Sequence, residues 1–238
     1  MARTIYEARL KSNNTLTPLV RELVIEFINP PHMEFQAGQF VMLHVPNPET
    51  GKPDLRAYSL ASDDRIQNEF KLIIKLVGEG KASQFIRDLK AGTKMQFTGP
   101  FGKLLFKQPA APNVVLVCTG AGLSQHMSFL LSHAHKFSAS RFSLMVGVWN
   151  EGEMFYVNEL DALQKQLKNF NYQFVLDSPA ATWKGKKGFV TQYLGEQKIK
   201  NDDTHVYMCG NPAMIKSVKA ELEKIAFPAD RTFAESFG

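Results

Sequence analysis

Hydrophobic positions in the first half of the chain occur in short runs, each bounded by glycine, proline or asparagine. Runs of this kind are FVMLHV at 40–45, FKLIIKLV at 70–77 and KMQFTG at 94–99. Short β-type runs separated by turn residues are typical of strands that share one core. Their spacing predicts a β-barrel or a β-sandwich for this half of the chain.

The pattern changes after a proline-rich hinge at 108–112. Strongly apolar runs then alternate with segments of helical periodicity, such as those at 123–135 and 213–226. Alternating strands and helices indicate a parallel sheet covered by helices. We therefore predict two domains, a β domain over residues 1–109 and an α/β domain over residues 110–238.

Two asparagines are expected at helix starts in the α/β domain. Asn211 precedes Pro212, the combination of a capping side chain with a proline in the first turn. Asn158 is expected to cap a second helix over 159–168.

Composition limits the kinds of protein that this chain can be. With 238 residues and 44% hydrophobic content, the chain can bury substantial cores. The longest apolar run, VVLVC at 114–118, is far shorter than the roughly 20 residues of a membrane-spanning helix. The first ten residues contain no apolar signal region, so we expect a cytoplasmic location.

The two cysteines, Cys118 and Cys209, cannot form a disulfide framework or bind an iron–sulfur cluster, which takes four ligands. Redox chemistry would therefore depend on an organic cofactor or on a partner. No metal site is expected, because the six histidines form no ligand set. His133 and His135, two positions apart on a predicted helix, are interpreted as surface residues.

The net charge is +5, and the excess lies in the first half. Residues 1–110 contain 15 Lys and Arg against 11 Asp and Glu. No run of five basic residues occurs and aromatic residues do not alternate with basic ones, so nucleic-acid binding is not expected. An acidic protein partner suits this mild positive field better.

Three glycine turns stand where phosphate groups are bound in many proteins. Gly120-Ala121-Gly122 follows an apolar strand and opens a helix, and a second strand–glycine–helix junction lies at 205–215. Such turns let a pyrophosphate reach the free N–H groups of a helix, and two of them in one sheet form a crevice at its carboxyl edge. A plain tight turn is the alternative. The third turn, at 78–83, leads into SQFIRDLK, where Ser83 is expected to cap the helix and could hold an anion.

Five motifs in order, RAYS at 56–59, GKAS at 80–83, TGAG at 119–122, CGNPAM at 209–214 and AESFG at 234–238, resemble the ferredoxin–NAD(P)H reductase superfamily. The resemblance covers nearly the whole chain. Within the family, the sequence is similar to a compact stand-alone member. It implies an N-terminal antiparallel β-barrel that binds FAD, followed by a Rossmann-like α/β domain that binds the nicotinamide dinucleotide.

The resemblance also implies roles for residues of the first domain. Arg56 would hold the flavin pyrophosphate, for which a planar guanidinium is suited, Tyr58 would cover the flavin and Ser59 would approach its N5 atom. Without the other motifs, RAYS would be interpreted as an edge strand with a half-buried tyrosine. The implied FAD-binding residues are Arg56, Ala57, Tyr58, Ser59, Ile74, Val77, Gly80, Lys81, Ala82, Ser83 and Phe237.

The resemblance further implies that Ser59 of the first domain converges with Cys209 and Glu235 of the second beside the nicotinamide, as catalytic residues. Taken alone, Cys209 would be a small buried residue and Glu235 a solvated charge. Phe237 stands where relatives often have a tyrosine stacked on the flavin. The implied NAD(P)-binding residues are Thr119, Gly120, Ala121, Gly122, Asp177, Cys209, Gly210, Asn211, Pro212 and Met214.

Departures from the family pattern bear on the choice of nucleotide. NADP-preferring relatives usually have Ser-Arg after the third strand of this domain and Arg after the second, where this chain has Asp177-Ser178 and Trp149. A carboxylate repels a 2′-phosphate but accepts hydrogen bonds from a ribose diol, so NADH is favoured over NADPH. A lysine cluster at 184–187 is an alternative phosphate site or a solvated turn. Ala121 and Gln125 stand where relatives often have Thr and Pro.

The resemblance implies a reductase of the ferredoxin or flavodoxin–NAD(P)⁺ type, which passes hydride from NADH or NADPH to FAD. Electrons would then go to a small acidic carrier, namely ferredoxin, flavodoxin or an oxygenase component. One alternative is an NAD(P)H-dependent reductase of free flavins. Another is an FAD-binding electron-transfer or regulatory subunit that does not itself oxidise a nicotinamide.

Overall fold

The computed structural model describes residues 4–237, which divide into two compact units. The first unit contains residues up to Leu105 together with 127–132, and the second contains 106–126 and the chain from His133 onward. The structural division therefore lies at Leu105/Phe106, close to the predicted boundary at 109/110.

The first unit contains a six-stranded antiparallel sheet and helix α1. The strand order is β4-β3-β6-β1-β2-β5. Its elements are β1 Ile5–Thr17, β2 Val20–Asn29, β3 Phe40–Val45, β4 Asp54–Ser59, β5 Glu69–Lys75, β6 Lys94–Phe101 and helix α1 Lys81–Asp88.

The two edge strands of this sheet approach each other, so that it curls into a barrel. Leu60, directly after β4, forms an isolated antiparallel bridge with Leu72 of β5. The Ala61 N–H also donates to the Lys71 carbonyl at 2.9 Å. Alternate residues of β3 point inward and are buried, as the period of two requires. The barrel core includes Leu23, Ile25, Leu43, Leu72 and Phe97.

The second unit contains a six-stranded sheet whose neighbouring strands run parallel, in the order β10-β9-β8-β7-β11-β12. The strands are β7 Asn113–Thr119, β8 Arg141–Val148, β9 Phe170–Leu176, β10 Lys186–Lys187, β11 Thr204–Gly210 and β12 Thr232–Ser236. Helix α2 Leu123–Phe129 begins in this unit, and its end, with the π-helical turn Leu130–Ala134 that follows, includes residues 127–132 of the first unit. The other helices are α3 Val157–Gln166 and α4 Pro212–Lys224, and 3₁₀ turns lie at Gly120–Gly122, Glu151–Glu153, Val190–Gln197 and Ala229–Arg231.

Burial explains the apolar run that opens this unit. Residues 113–118 of β7 are all buried, because strands of a parallel sheet are covered on both faces. The predicted fold class, an antiparallel β-barrel followed by a parallel α/β domain, is confirmed by these two sheets.

Three details differ from the sequence-based expectations. Helix α3 begins at Val157 after Tyr156, whose φ of 59° is left-handed, so Asn158 lies inside the helix and does not cap it. His133 is 5% exposed, not a surface residue, because its ring stacks on Phe106 at 4.5 Å between centroids. Ser83 lies two residues inside α1, and Gly80 occupies the capping position.

The cap at α4 is confirmed, since the Asn211 side-chain oxygen accepts from the Ala213 N–H at 2.8 Å and Pro212 is the first helical residue. Among residues 4–237, no helix is both long enough and apolar enough to cross a membrane.

Candidate functional site

In the first unit, the RAYS motif occupies the edge strand β4, which pairs with β3 alone in the sheet. Burial increases along the motif: Arg56 and Ala57 are exposed, Tyr58 is half-buried against the barrel core and Ser59 is buried. An edge strand keeps one row of backbone groups unpaired. The motif therefore offers a ligand a graded surface, from a solvated cation to a buried hydroxyl.

The Arg56 guanidinium is only loosely held by the protein. Its Nη2 lies 3.8 Å from the Asp54 carboxylate and its Nη1 donates to the Leu55 carbonyl at 3.0 Å, while 48% of the side chain is exposed. A half-exposed pair at this distance is worth little. The fork can therefore turn to an anion such as a pyrophosphate at small cost.

Tyr58 and Ser59 form the inner end of this surface. Burial raises the pKa of Tyr58, so the phenol stays protonated, and the Arg56 charge opposes this only in part. The Ser59 hydroxyl is buried and makes no hydrogen bond to any residue in the range 4–237. A buried polar atom without a partner is costly, which fits a hydroxyl that pairs with a bound ligand such as FAD.

The predicted phosphate turn at 78–83 lies at the end of β5. Gly78 has a φ of +53°, and a Cβ built there would have no atom within 4 Å, whereas one on Gly80 would meet only the Val77 carbonyl oxygen, at 3.5 Å. Gly80 has no side chain, so it leaves the first N–H groups of α1 without a capping side chain of its own. The Ser83 hydroxyl accepts from the Val77 N–H at 2.9 Å and so braces the turn. Lys81 bonds the Glu49 carboxylate at 2.6 Å in the loop before β4.

Ile74 and Val77 differ in what they can offer. The Ile74 side chain lies in the barrel core at 1% exposure, so only its backbone can reach a ligand. Val77 is 74% exposed and presents its side chain. Ala82 packs against the barrel core and Lys81 is exposed.

In the second unit, the two glycine turns touch each other at the carboxyl edge of the sheet. A Cβ on Gly122 would lie 2.2 Å from the Cys209 carbonyl oxygen, and a Cβ on Gly210 would lie 2.5 Å from Thr119 Oγ1. Thr119 Oγ1 also accepts from the Asn211 N–H at 2.9 Å. Gly120, with a φ of +51°, has no atom within 4 Å of the corresponding position. At this edge, Gly122 and Gly210 are therefore tightly packed against backbone and side-chain atoms, whereas Gly120 borders open space.

Cys209 lies in register with Cys118 of β7 on one side and with Glu235 of β12 on the other. Both thiols are free and buried. Burial, the Glu235 charge and Cys118 raise the pKa of Cys209, and burial raises that of Cys118. Both thiols therefore stay protonated near neutral pH. Cys209 thus presents an uncharged thiol and not a thiolate nucleophile.

The C-terminal residues are tied to this edge. The Phe237 N–H donates to the Gly210 carbonyl at 3.0 Å, and the Phe237 side chain is 36% exposed. The Glu235 carboxylate accepts from the Gln125 side-chain amide at 3.1 Å. In the sequence, Gln125 stands out only as a departure from the family pattern. Its unusual identity at a glycine turn was the available signal, but nothing in the sequence connects it to a residue 110 positions away.

Asp177 and Trp149 follow β9 and β8 at the same edge. The Asp177 N–H bonds the Val148 carbonyl at 3.0 Å and the Ser178 N–H bonds the Trp149 carbonyl at 2.8 Å, which fixes both backbones side by side. Trp149 is 55% exposed. In the lysine cluster, Lys186 pairs with Glu196 at 2.5 Å and lies over the Tyr193 ring. Met214 is buried in the core of the unit, whereas Pro212 is exposed.

Comparison with known proteins identifies both units. The oxidoreductase FAD-binding domain family matches residues 7–106, and the oxidoreductase NAD-binding domain family matches residues 116–220. Ferredoxin–NADP reductase B of Sorangium cellulosum is 30% identical over 221 residues, which is 90% of this chain and 89% of that protein. The chain belongs to the ferredoxin–NAD(P)H reductase superfamily. The resemblance drawn from the five motifs is confirmed.

Two further similarities extend this assignment. The anthranilate 1,2-dioxygenase electron transfer component of Acinetobacter baylyi is 26% identical over 86% of this chain, which spans only 59% of that protein. A ferredoxin NADP⁺ reductase from Neisseria gonorrhoeae, solved with bound FAD and NADP, matches with a TM-score of 0.85 at 22% identity over 98% of both chains. The family binds FAD in the first domain and a nicotinamide dinucleotide in the second, as expected for the cofactors of this chain. The roles of individual residues stay predictions.

The contact between the two glycine turns leads to a first prediction. Gly122→Ala should lower the stability of the second unit by about 1–3 kcal/mol, because the added methyl meets a backbone carbonyl that cannot move aside. It should also weaken binding of NAD⁺. Gly195→Ala is the matched control, since that position has open space around it. Thermal unfolding and calorimetric titration with NAD⁺ measure both effects; equal stability of the two variants would contradict the contact.

Proposed function

We propose that this protein is an NAD(P)H-dependent flavoprotein reductase that passes electrons to a small redox protein. The observation that carries the proposal is the carboxyl edge of the second unit, where two glycine turns meet beside Cys209 and Glu235. The buried, unpaired Ser59 hydroxyl in the first unit supports it from the flavin side. Family membership and the names of the relatives agree with this reaction class.

The residues of the chain bind, orient and exclude water. Bound FAD supplies the chemistry, since it accepts a hydride and releases electrons singly or in pairs. Arg56 and the turn at 78–83 would hold its phosphate groups, and Tyr58 and Ser59 would fix its ring system. Gly120, Gly122 and Asn211 would seat the dinucleotide, while neutral Cys209 and the Glu235 carboxylate would border the nicotinamide.

The electron acceptor is proposed to be a small acidic protein, such as a ferredoxin, a flavodoxin or an oxygenase component. The positive excess of the first half of the chain supports an acidic partner. Reduction of free flavin is the second candidate within the same chemistry; it is favoured if FAD dissociates readily from a β4 edge where Arg56 is half-exposed. A cytoplasmic location stays a prediction.

Anaerobic reduction tests the reaction itself. Purified protein loaded with FAD should lose its yellow colour within seconds of mixing with NADH, followed by absorbance in a stopped-flow instrument. Arg56→Ala should retain less FAD through gel filtration. Rapid bleaching would exclude the subunit that does not oxidise a nicotinamide. If neither NADH nor NADPH reduces the flavin, the proposed function is wrong.

Asp177 should decide the preference between the two nucleotides. Asp177→Ser removes a carboxylate that would repel the 2′-phosphate, so the kcat/KM ratio of NADPH to NADH should rise about fivefold to tenfold, equivalent to about 1 kcal/mol. Asp202→Ser, an exposed carboxylate of the same unit, controls for the change in net charge. An unchanged ratio in Asp177→Ser would remove this carboxylate from the specificity argument.

Salt should slow electron transfer to a protein acceptor. Exposed charges are screened over about 10 Å at 0.1 M salt, so steering of an acidic carrier weakens as salt is added. We expect the rate of ferredoxin reduction to fall between 20 mM and 500 mM NaCl. The rate of reduction of uncharged quinone by the same protein is the control. A ferredoxin rate that does not depend on salt would argue against an acidic partner.

A further inference from the structure

Glu235 lies on strand β12, and its place on that strand does not by itself determine the orientation of its side chain. Strand β12 contains only five residues and pairs with β11 at the edge of the sheet. The Glu235 side chain is half-buried there, in register with Cys209. A glutamate side chain at a sheet edge has several rotamers open to it, and restricting them costs free energy. Something other than the strand must therefore set where this carboxylate points.

Gln125 is placed to do this. It is fully buried at the start of α2, three residues after Gly122, so its own rotamer is held by packing. Its side-chain Nε2 donates to Glu235 Oε2 at 3.1 Å. A hydrogen bond from a fixed amide to a carboxylate is charge-assisted and directional. The contact joins the helix after the first glycine turn to the strand beyond the second.

Two cysteine thiols lie on the strands beside Glu235. Cys209 faces Glu235 from β11, and Cys118 faces Cys209 from β7. Both thiols stay protonated, because burial raises the pKa of each. Neither can therefore compete with the Gln125 amide as a charged partner of the carboxylate.

We propose that Gln125 is a positioning residue for Glu235, whose amide fixes the carboxylate at the carboxyl edge of the second sheet. A proline at position 125 could not make this bond, because its side chain has no hydrogen-bond donor; this chain has glutamine there. The significance of the bond for hydride transfer rests on the proposed function. The bond and its effect on the carboxylate do not.

The direct test follows the Glu235 carboxyl by ¹³C NMR on glutamate-labelled protein, with the signal assigned by its loss in Glu235→Gln. Gln125→Met keeps the length of the side chain and removes the donor. A lost donor disfavours the ionised carboxylate, so this carboxyl should titrate about one pH unit higher in Gln125→Met. An unchanged titration in a folded variant would overturn the proposal.

The matched control is Ser128→Ala. It removes a buried hydrogen bond from the same helix, the one from the Ser128 hydroxyl to the Ser62 carbonyl at 2.6 Å, without touching Glu235. This variant should leave the Glu235 titration where it is in the unchanged protein. An equal shift in Ser128→Ala and Gln125→Met would assign the effect to general loosening of the helix and would also overturn the proposal.

A second measurement covers the case in which Gln125→Met does not fold. Glu235→Ala changes a half-buried residue near the chain end, and the ¹⁵N side-chain amide signal of Gln125 is then followed in a chain that keeps its buried glutamine. Loss of the carboxylate should shift that signal more than it shifts the side-chain amide of Gln84, which bonds the Glu79 carbonyl. No shift at Gln125 would mean that the two side chains do not interact in solution.

Kinetics then show what the contact does for the reaction. Gln125→Met should lower the limiting rate of flavin reduction by NADH about threefold to tenfold and leave KM within twofold, because orientation and not affinity is lost. In the Glu235→Ala background the same substitution should have no further effect. Additive effects of the two substitutions would mean that Gln125 acts on the rate independently of Glu235. If NADH reduces no variant, the proposed function fails, while the NMR titration still decides whether Gln125 positions Glu235.

Discussion

Backbone contact between the two glycine turns is the constraint on which the second unit depends. The carbonyl of Cys209 occupies the space that a side chain at position 122 would fill, and Thr119 occupies the space beside Gly210. Two parallel strands therefore end at one point, and the N–H groups that follow each of them face the same region. The same edge holds Cys209 in register with Glu235 on the neighbouring strand, so the residues that border the proposed dinucleotide site lie together.

The barrel depends on a comparable closure between its edge strands. The Leu60–Leu72 bridge brings the end of β4 to β5, so a motif at 56–59 and a turn at 78–83 become neighbours in one small unit. Lys81 and Glu49 strengthen this neighbourhood only slightly, because an exposed ion pair contributes little. Most of the geometry comes from the buried leucines, whose removal from water is the larger free-energy contribution.

Much of the fold was predictable, because the period of the apolar positions differs between the two halves of the chain. The run at 113–118 is buried on both faces, as expected for an inner strand of a parallel sheet. Strands β1 and β2 were not predicted, since β1 in particular carries many polar residues and buries only a few, such as Ala8 and Leu10. Its strand character comes from pairing with β2 and β6, which no local pattern records.

The candidate site was predictable where a motif carries its own geometry, as at Asn211 and Gly122, and not where distant residues meet. Ser83 looked like a cap but lies inside α1, because the helix already begins at Lys81, directly after the extended backbone of Gly80. Asn158 failed in the same way, because Tyr156 takes up the left-handed turn before α3. The Gln125–Glu235 contact is the clearest case: two ordinary polar residues acquire a joint role only after the sheet is assembled.

The two neighbouring free thiols allow the opening of the second unit to be measured. Cys118 and Cys209 are the only cysteines in the sequence, and both are enclosed on adjacent strands in a form that does not react. Modifying reagents can reach them only when the second unit opens. The rate of thiol labelling therefore reports how often the second unit opens, and no engineered probe is needed to measure it.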